Sequence, residues 1–470
     1  MNARTFFCIL FLSCFSACSM SRKSENTSTA GPANTGIVKN ADYYKKNPDV
    51  VSFRKHFSRG KHFLNNQKPK EAIEEFQKAM SFRPDSIEAP LEYVKALYVI
   101  GEQKKAKAVL KTILACSWDV LNFAGYIYAR EHEFEKAVKA NEILKVLIPN
   151  EEQPRCNLGH YYLAVGNLID GFREYGFRKK DSFYVNDKTK EWNGENIKGK
   201  RVLIYTEQGL GDIFEFIRYA KLVKENGGHV VLRLHKPFMK KYLSMLSYID
   251  EISTIKEPLP ECDYKTQIMS LPRVFETTVD TIPAPIPYLV ADEKLVREWQ
   301  KRLKSDTNFK VGLCWSGTTY SSNTLTRQKS ARRSIALEKM APLADVDGVT
   351  FYSLQKVKSP DELKTSVEKF VVHGFGDDFD KTHGSFMDTA AIMKALDLII
   401  TVDTSVAHVA GGLGVPVWII LPYESEWRWL EERSDSPWYP TARLFRTKEL
   451  EKWEPVIDNV KAELKKLLNK

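Results

Sequence analysis

Two hydrophobic periods run along this chain, and the change from one to the other divides it. From about 51 to 178, Ala72, Ala106, Ala137 and Gly171 recur at intervals of 34, 31 and 34 residues. Each is followed four positions later by a larger residue, namely Phe76, Leu110, Asn141 and Tyr175. Lys70 to Ala79, followed by Pro84, is the clearest copy, and Pro84 and Pro149 fall where a second helix should stop. Small residues at a helix crossing allow close approach, and stacked hairpins of this kind bury one continuous core. After Trp192-Asn193-Gly194 the pattern changes. Arg201–Tyr205 predicts a strand, Glu207–Asp212 a loop, Ile213–Asn226 a helix closed by Gly227-Gly228, and His229–Arg233 the next strand. Strand, turn, helix and strand make a βαβ unit, which implies a parallel sheet. Further strands are predicted at Lys310–Trp315, Val349–Leu354, Leu398–Val402 and Pro416–Leu421, with a short helix over Val406–Gly412. Polar residues and glycines gather at the C-terminal ends of these strands, where open α/β sheets bind ligands.

The first region resembles a tetratricopeptide repeat array with a short third copy and a degenerate fourth; a generic helical bundle is the alternative. The second carries an ordered set of motifs: Glu207-Gln208-Gly209-Leu210-Gly211-Asp212, Trp315-Ser316-Gly317, Arg333-Ser334, Ser353-Leu354-Gln355, Asp388-Thr389-Ala390-Ala391 and Asp397. Thr401-Val402-Asp403-Thr404 with Ala407-His408, then Gly414 and Pro416, continue the order. The tail adds Trp427-Arg428-Trp429, Ser436-Pro437-Trp438-Tyr439-Pro440 and Arg443-Leu444-Phe445-Arg446. Over roughly 60–465 this set resembles glycosyltransferase family 9, in the branch fused to tetratricopeptide repeats. Its better-known members are the heptosyltransferases. The two resemblances imply helical repeats followed by a GT-B-like pair of Rossmann-type α/β lobes facing one cleft. The expected divisions are 51–178 for the array, 179–198 for a linker, 199–290 for the acceptor-side lobe and 291–470 for the nucleotide-sugar lobe. The implied reaction is inverting transfer from a nucleotide-diphosphate sugar, ADP-heptose-like, to a cell-envelope glycan or a protein. The family needs no metal or other cofactor. Cationic side chains and helix N-termini then neutralise the leaving diphosphate.

Within that frame Asp212 is the candidate general base for the acceptor hydroxyl; the same residue suits an N-cap for the helix expected from Ile213. Gly209 and Gly211 allow a tight turn and close ligand approach, but they do not form the GxGxxG dinucleotide fingerprint. The donor site is expected from Trp315, Ser316, Asp403, Thr404, Ser405 and His408, with phosphate held at the helix that Asp403-Thr404 opens. Ser405 stands where heptosyltransferases usually carry glycine. Arg333 and Ser334 match positions that send polar groups to the donor phosphates, with Arg332 and Lys339 as nearby alternatives. Gln355 and Asp388 either line the cleft or cap structure. The aromatic tail suits packing between lobes, and the basic helix from Val456 is expected to pack back across both.

Charge and cysteines change the picture only at the N-terminus. The formal net charge of +10 is spread along the chain, and no motif points to nucleic acid. Thr5–Ala17 is a short apolar run after Arg4, and Phe15-Ser16-Ala17-Cys18 resembles a bacterial lipoprotein processing site. Residues 1–18 are therefore expected to be a signal with lipid carried on Cys18, Cys14 being a poorer candidate, and 19–50 a flexible tether. Processing would give a membrane-anchored envelope lipoprotein; an uncleaved leader would leave the protein in the cytoplasm. Cys116, Cys156, Cys262 and Cys314 have no metal or disulfide spacing. A rival to the enzyme is a catalytically silent lipoprotein whose repeats bind a protein partner.

Overall fold

The computed structural model describes residues 48–113, 117–317, 332–356, 370–450 and 452–469. Cys8, Cys14, Cys18 and Cys116, with residues 1–18 and most of the tether, lie outside the described residues. Among the described residues no helix is long and apolar enough to cross a membrane. Two compact units part between Pro154 and Arg155.

The first unit is built of helical hairpins: Pro48–Asn65 with Pro69–Phe82, Glu88–Val99 with Gln103–Ile113, and Trp118–Arg130 with Phe134–Leu147. Ala72, Ala106 and Ala137 are fully buried at the crossings. In the copies of Ala72 and Ala137 the residue four positions on packs against a glycine of the preceding helix. A Cβ on Gly60 would lie 2.5 Å from the Phe76 ring, and one on Gly125 would lie 2.2 Å from the Asn141 amide. Gly60, Gly125 and Gly159 each precede the repeat's small residue by 12 positions. Three of the four copies thus have a glycine partner, Val94 standing at that place in the copy of Ala106, that the spacing of small residues in the second helices did not reveal.

A fourth hairpin, Glu152–Ala164 with Leu168–Tyr175, keeps this geometry. From Arg155 onward it belongs to the second unit, so an array running to 178 does not describe the contacts. Its Phe172 ring meets Phe216 at 6.2 Å and Trp427 at 5.6 Å, both edge-on. The stretch expected as a linker is also structured. It supplies a helix, Ser182–Asn186, and an edge strand, β1, Lys190–Glu191.

The second unit has two parallel sheets. The first contains β1, β2 (Arg201–Tyr205), β3 (His229–Leu234), β4 (Glu251–Thr254) and β5 (Tyr264–Gln267), in the order β1-β5-β2-β3-β4. The second contains β6 (Phe309–Cys314), β7 (Val349–Ser353), β8 (Val372–His373), β9 (Leu398–Val402), β10 (Val417–Leu421) and β11 (Ala442–Arg446), in the order β11-β10-β9-β6-β7-β8. Central strands β9 and β10 are buried throughout, which accounts for their unbroken apolar runs. This is the expected fold: helical repeats and a GT-B-like pair of α/β lobes.

Two expectations are corrected. The helix after β2 begins at Leu210 and breaks at Ile217 into Leu210–Phe216 and Arg218–Glu225, so Asp212 lies inside the first turn. The final helix, Glu454–Leu468, does not cross both lobes. Its Val456, Ile457, Val460 and Leu464 join the core of the C-terminal lobe. The lobes are held instead by close backbone approach around the helix Ser405–Leu413. A Cβ on Gly211 of the N-terminal lobe would meet the His408 ring at 2.8 Å, while Tyr288 and Leu289 both donate N–H to the Gly412 carbonyl at 3.0 Å. Arg218 donates to the Trp438 carbonyl at 2.7 Å and to the Tyr288 hydroxyl at 2.8 Å.

Replacing a helical glycine by alanine ordinarily gains up to about 1 kcal/mol. At Gly159 the new Cβ would lie 2.5 Å from the Tyr175 backbone nitrogen, which no side-chain rotation relieves. Overpacking costs about 1–3 kcal/mol. Gly159→Ala is therefore predicted to lower the urea midpoint of unfolding; an unchanged or higher midpoint would contradict the close approach.

Candidate functional site

A cleft of about 1010 Å³ opens between the lobes of the second unit. Its walls come from the C-terminal ends of parallel strands in both sheets, because each chain leaves its strand there with polar loop residues.

On the N-terminal side, β2 runs into Glu207 and Gln208. Glu207 is 4% exposed and does not face a ligand. Arg178 holds it through Nε at 2.9 Å, and the Met269 N–H donates to it at 3.1 Å. This buried pair fixes the loop. Gln208 then adopts a left-handed backbone, φ 57°, and donates its amide to the Tyr175 hydroxyl at 2.7 Å. Its carbonyl accepts from Lys236 Nζ and from His235 Nε2 at 3.1 Å. Burial pulls the Lys236 ammonium below its ordinary range. Gly209, Gly211 and Asp212 line the cleft. Asp212 Oδ2 accepts from the Gly209 N–H at 2.7 Å, a first-turn cap rather than the N-cap expected. Its Oδ1 accepts from Arg428 Nη2.

Across the cleft, the C-terminal lobe brings Ser316, Gly317, Arg333, Gln355, Asp403, Thr404 and Ser405 to one wall. Gln355 Oε1 accepts from the Ser316 N–H at 2.9 Å, and Ser334 Oγ accepts from the Gly317 N–H at 3.1 Å. Ser334 thus supports the wall and does not line it. Trp315 is also not in the cleft: it is 3% exposed in the lobe core. Thr404 Oγ1 caps the helix by accepting from the Val406 N–H at 3.3 Å, so its hydroxyl is already used, and Ser405 occupies the first helical position facing the cleft. Asp403 is buried, and loss of water raises its carboxyl above the ordinary value. Asp388 is a structural cap. It accepts from Trp299 Nε1 at 3.0 Å and from the Asp380 N–H at 3.1 Å, away from the cleft wall. Among the basic candidates, Arg332 pairs with Glu424 at 3.5 Å and Lys339 with Glu454 at 3.0 Å. Arg333 lines the cleft, and its Nε is buried without a hydrogen-bond partner.

His408 sits in the seam between the lobes. A Cβ on Gly211 would lie 2.8 Å from its ring, and its Nδ1 is 2.7 Å from the Tyr439 hydroxyl. Burial first, and then Arg428, push its pKa well below the ordinary histidine value, so the ring is neutral and supplies no cation for a phosphate. Arg428, 8% exposed, reaches from the C-terminal lobe to Asp212 and, through Nε, to Glu215. Glu215 has no exposed surface, and its Oε1 has no partner. Burial outweighs Arg428 and raises its carboxyl to about 7. Neither Glu215 nor Lys236 was singled out in the sequence. Arg428 was visible only as the middle of an aromatic motif. Among the described residues no group of three or more His, Cys, Asp or Glu side chains is placed to hold a metal ion.

No family model matches the chain. It is similar to Protein FlbA of Caulobacter vibrioides, with 25% identity over 325 residues, covering 64% of this chain. The chain spans about half the length of that relative, 53%. Among solved structures it is similar to a family 9 glycosyl transferase from Veillonella parvula, at 14% identity and TM-score 0.40, covering 59% of this chain and 92% of that one. It is also similar to the ADP-heptose lps heptosyltransferase II of E. coli, at 12% identity and TM-score 0.39, covering 57% and 99%. A tetratricopeptide repeat protein from Parabacteroides merdae matches at 16% identity and TM-score 0.25, covering 30% and 55%. At these identities and scores none of them decides an activity or a substrate for this chain.

Glu215 gives a pH prediction. Its folded value is about 7 against an ordinary 4.5. Between these values the folded protein keeps a proton that the unfolded chain has released. Stability contributed at this position therefore falls as pH rises through that window and is level above it. Relative to Glu215→Gln, the wild type should lose unfolding free energy between pH 4.5 and about pH 7. A difference that is constant, or that grows with pH, in urea titrations would contradict the burial argument.

Proposed function

We propose that the second unit is a glycosyltransferase that moves a sugar, with inversion, from a nucleoside-diphosphate donor onto a hydroxyl of a cell-envelope glycan or protein. Arg333 carries the reading: it lines the cleft beside the N-terminus of Ser405–Leu413, opposite the Asp212 loop, and its Nε is buried there without a hydrogen-bond partner. A buried N–H donor without a partner is costly, and an anionic diphosphate oxygen would satisfy it. The helix N-terminus, where Thr404 takes up only the Val406 N–H, favours the same charge. In the reaction the acceptor oxygen attacks the anomeric carbon while Asp212 takes its proton. The bond from that carbon to the diphosphate breaks, and the electron pair leaves with the diphosphate, which Arg333 stabilises. An ADP-heptose-like donor fits this chemistry, and transfer proceeds with these side chains as the neutralising charges.

Both Asp212 oxygens are engaged, by Gly209 and by Arg428. That engagement supports a second reading, a silent cleft that binds nucleotide while the repeats bind a protein partner. Asp212→Asn separates the two. Under the first reading, donor binding survives and transfer falls by about 10²–10⁴-fold, the ordinary contribution of a general base. Undiminished transfer would remove Asp212 from the chemistry, and absence of transfer in the wild type with donor bound would favour the silent cleft. For the leader, we propose lipid on Cys18. Metabolic labelling with palmitate should mark the wild type and not Cys18→Ser; equal labelling of both would place the lipid elsewhere.

A further inference from the structure

Arg428 makes the charged contacts that join the seam between the lobes beneath the cleft. Nη2 donates to Asp212 Oδ1, Nε donates to Glu215 Oε2, and Nη1 lies 3.8 Å from Glu426. Its guanidinium also stacks over the Trp427 ring, 4.7 Å from the centroid, which fixes the plane of the fork. One cation therefore serves two carboxylates that lie one helical turn apart on Leu210–Phe216. Asp212 opens to the cleft, and Glu215 is closed off from it.

We propose that Arg428 is a positioning residue for Asp212, and that Glu215 sets how strongly Arg428 holds it. The inference rests on the assignment of Asp212 as the base. With Glu215 ionised, the guanidinium is shared and its pull on Asp212 is reduced. With Glu215 protonated, the charge of Arg428 is left to Asp212 and to the more distant Glu426, and its hold on Asp212 tightens. The surrounding groups leave this coupling in place. His408 is neutral and lies 4.0 Å from Glu215 through Nδ1, already bonded to Tyr439. Arg218 donates its Nε to the Glu215 carbonyl, not to its carboxyl, and directs its other nitrogens to Trp438 and Tyr288. Lys236 acts on Asp212 from the cleft side, and Tyr175 lies near both Arg428 and Asp212. Burial places Glu215 to change state near neutral pH, where a base would be required to work.

The test is a carbon-13 NMR titration of the carboxyl groups in the full chain labelled at aspartate and glutamate. Asp212→Asn assigns the Asp212 resonance. In the wild type that resonance should show a second inflection where Glu215 titrates, and Glu215→Gln should abolish it. Arg428→Lys keeps the charge but loses the fork, and should move the Asp212 resonance at every pH while removing the inflection. An Asp212 resonance indifferent to Glu215→Gln and to Arg428→Lys overturns the inference. Failure of the underlying assignment is read separately: if Asp212→Asn transfers sugar undiminished, Asp212 is not the base, whatever the titration shows.

Discussion

The guanidinium of Arg428 lies buried where the lobes meet, its charge balanced by two carboxylates of the opposite lobe. Removing one member of such a buried pair costs about 3–5 kcal/mol, because the other is left charged and unsolvated. Much of the neighbouring structure follows from keeping water away from it. Trp427 covers its face, Phe172 and Phe216 pack around Trp427, and neutral His408 fills the floor. A neutral ring is required at that floor, because a third cation beside Arg428 and Arg218 would raise the cost of the site further. The constraint also fixes the glycines. Gly211 and Gly411 let the helix ends meet His408 and Tyr439 at distances that no Cβ allows.

A second buried pair, Arg178 with Glu207, does the corresponding work on the N-terminal side. It holds the end of β2 so that Gln208 can adopt its left-handed backbone and turn the chain toward the cleft. Arg178 comes from just beyond the fourth hairpin, which explains why that hairpin belongs to the α/β unit although its spacing continues the repeat. Behind Arg333 and Asp212 the support is by charge pairs and aromatic rings.

Much of the fold was legible because its signals are local. The repeat interval, the apolar runs of β2, β3, β6, β7, β9 and β10, and the glycine turns all come from short-range periodicity. The missed strands are those without it. β1 and β8 have two residues each, β4 and β5 read Glu251-Ile-Ser-Thr254 and Tyr264-Lys-Thr-Gln267, too polar to stand out, and β11, Ala442-Arg-Leu-Phe-Arg446, was read only as part of a motif. For the cleft, the motifs gathered most of the expected residues on one wall, but they did not tell lining from support. Trp315, Ser334 and Asp388 look functional by position and are structural by contact. Glu215 and Arg428 are 213 residues apart in sequence, and nothing short of the folded chain joins them.

The central claim is that this cleft binds a nucleoside diphosphate through Arg333 and the helix N-terminus at Ser405. The most direct measurement is a thermal-shift panel of ADP, UDP, GDP, CDP and TDP on the full chain. A ligand at about a hundred times its dissociation constant adds about 2.7 kcal/mol, which is a shift of several degrees for a unit of this size. The account predicts such a shift with one nucleotide, and its loss in Arg333→Met. No shift with any of the five, or a shift that Arg333→Met leaves intact, would contradict it.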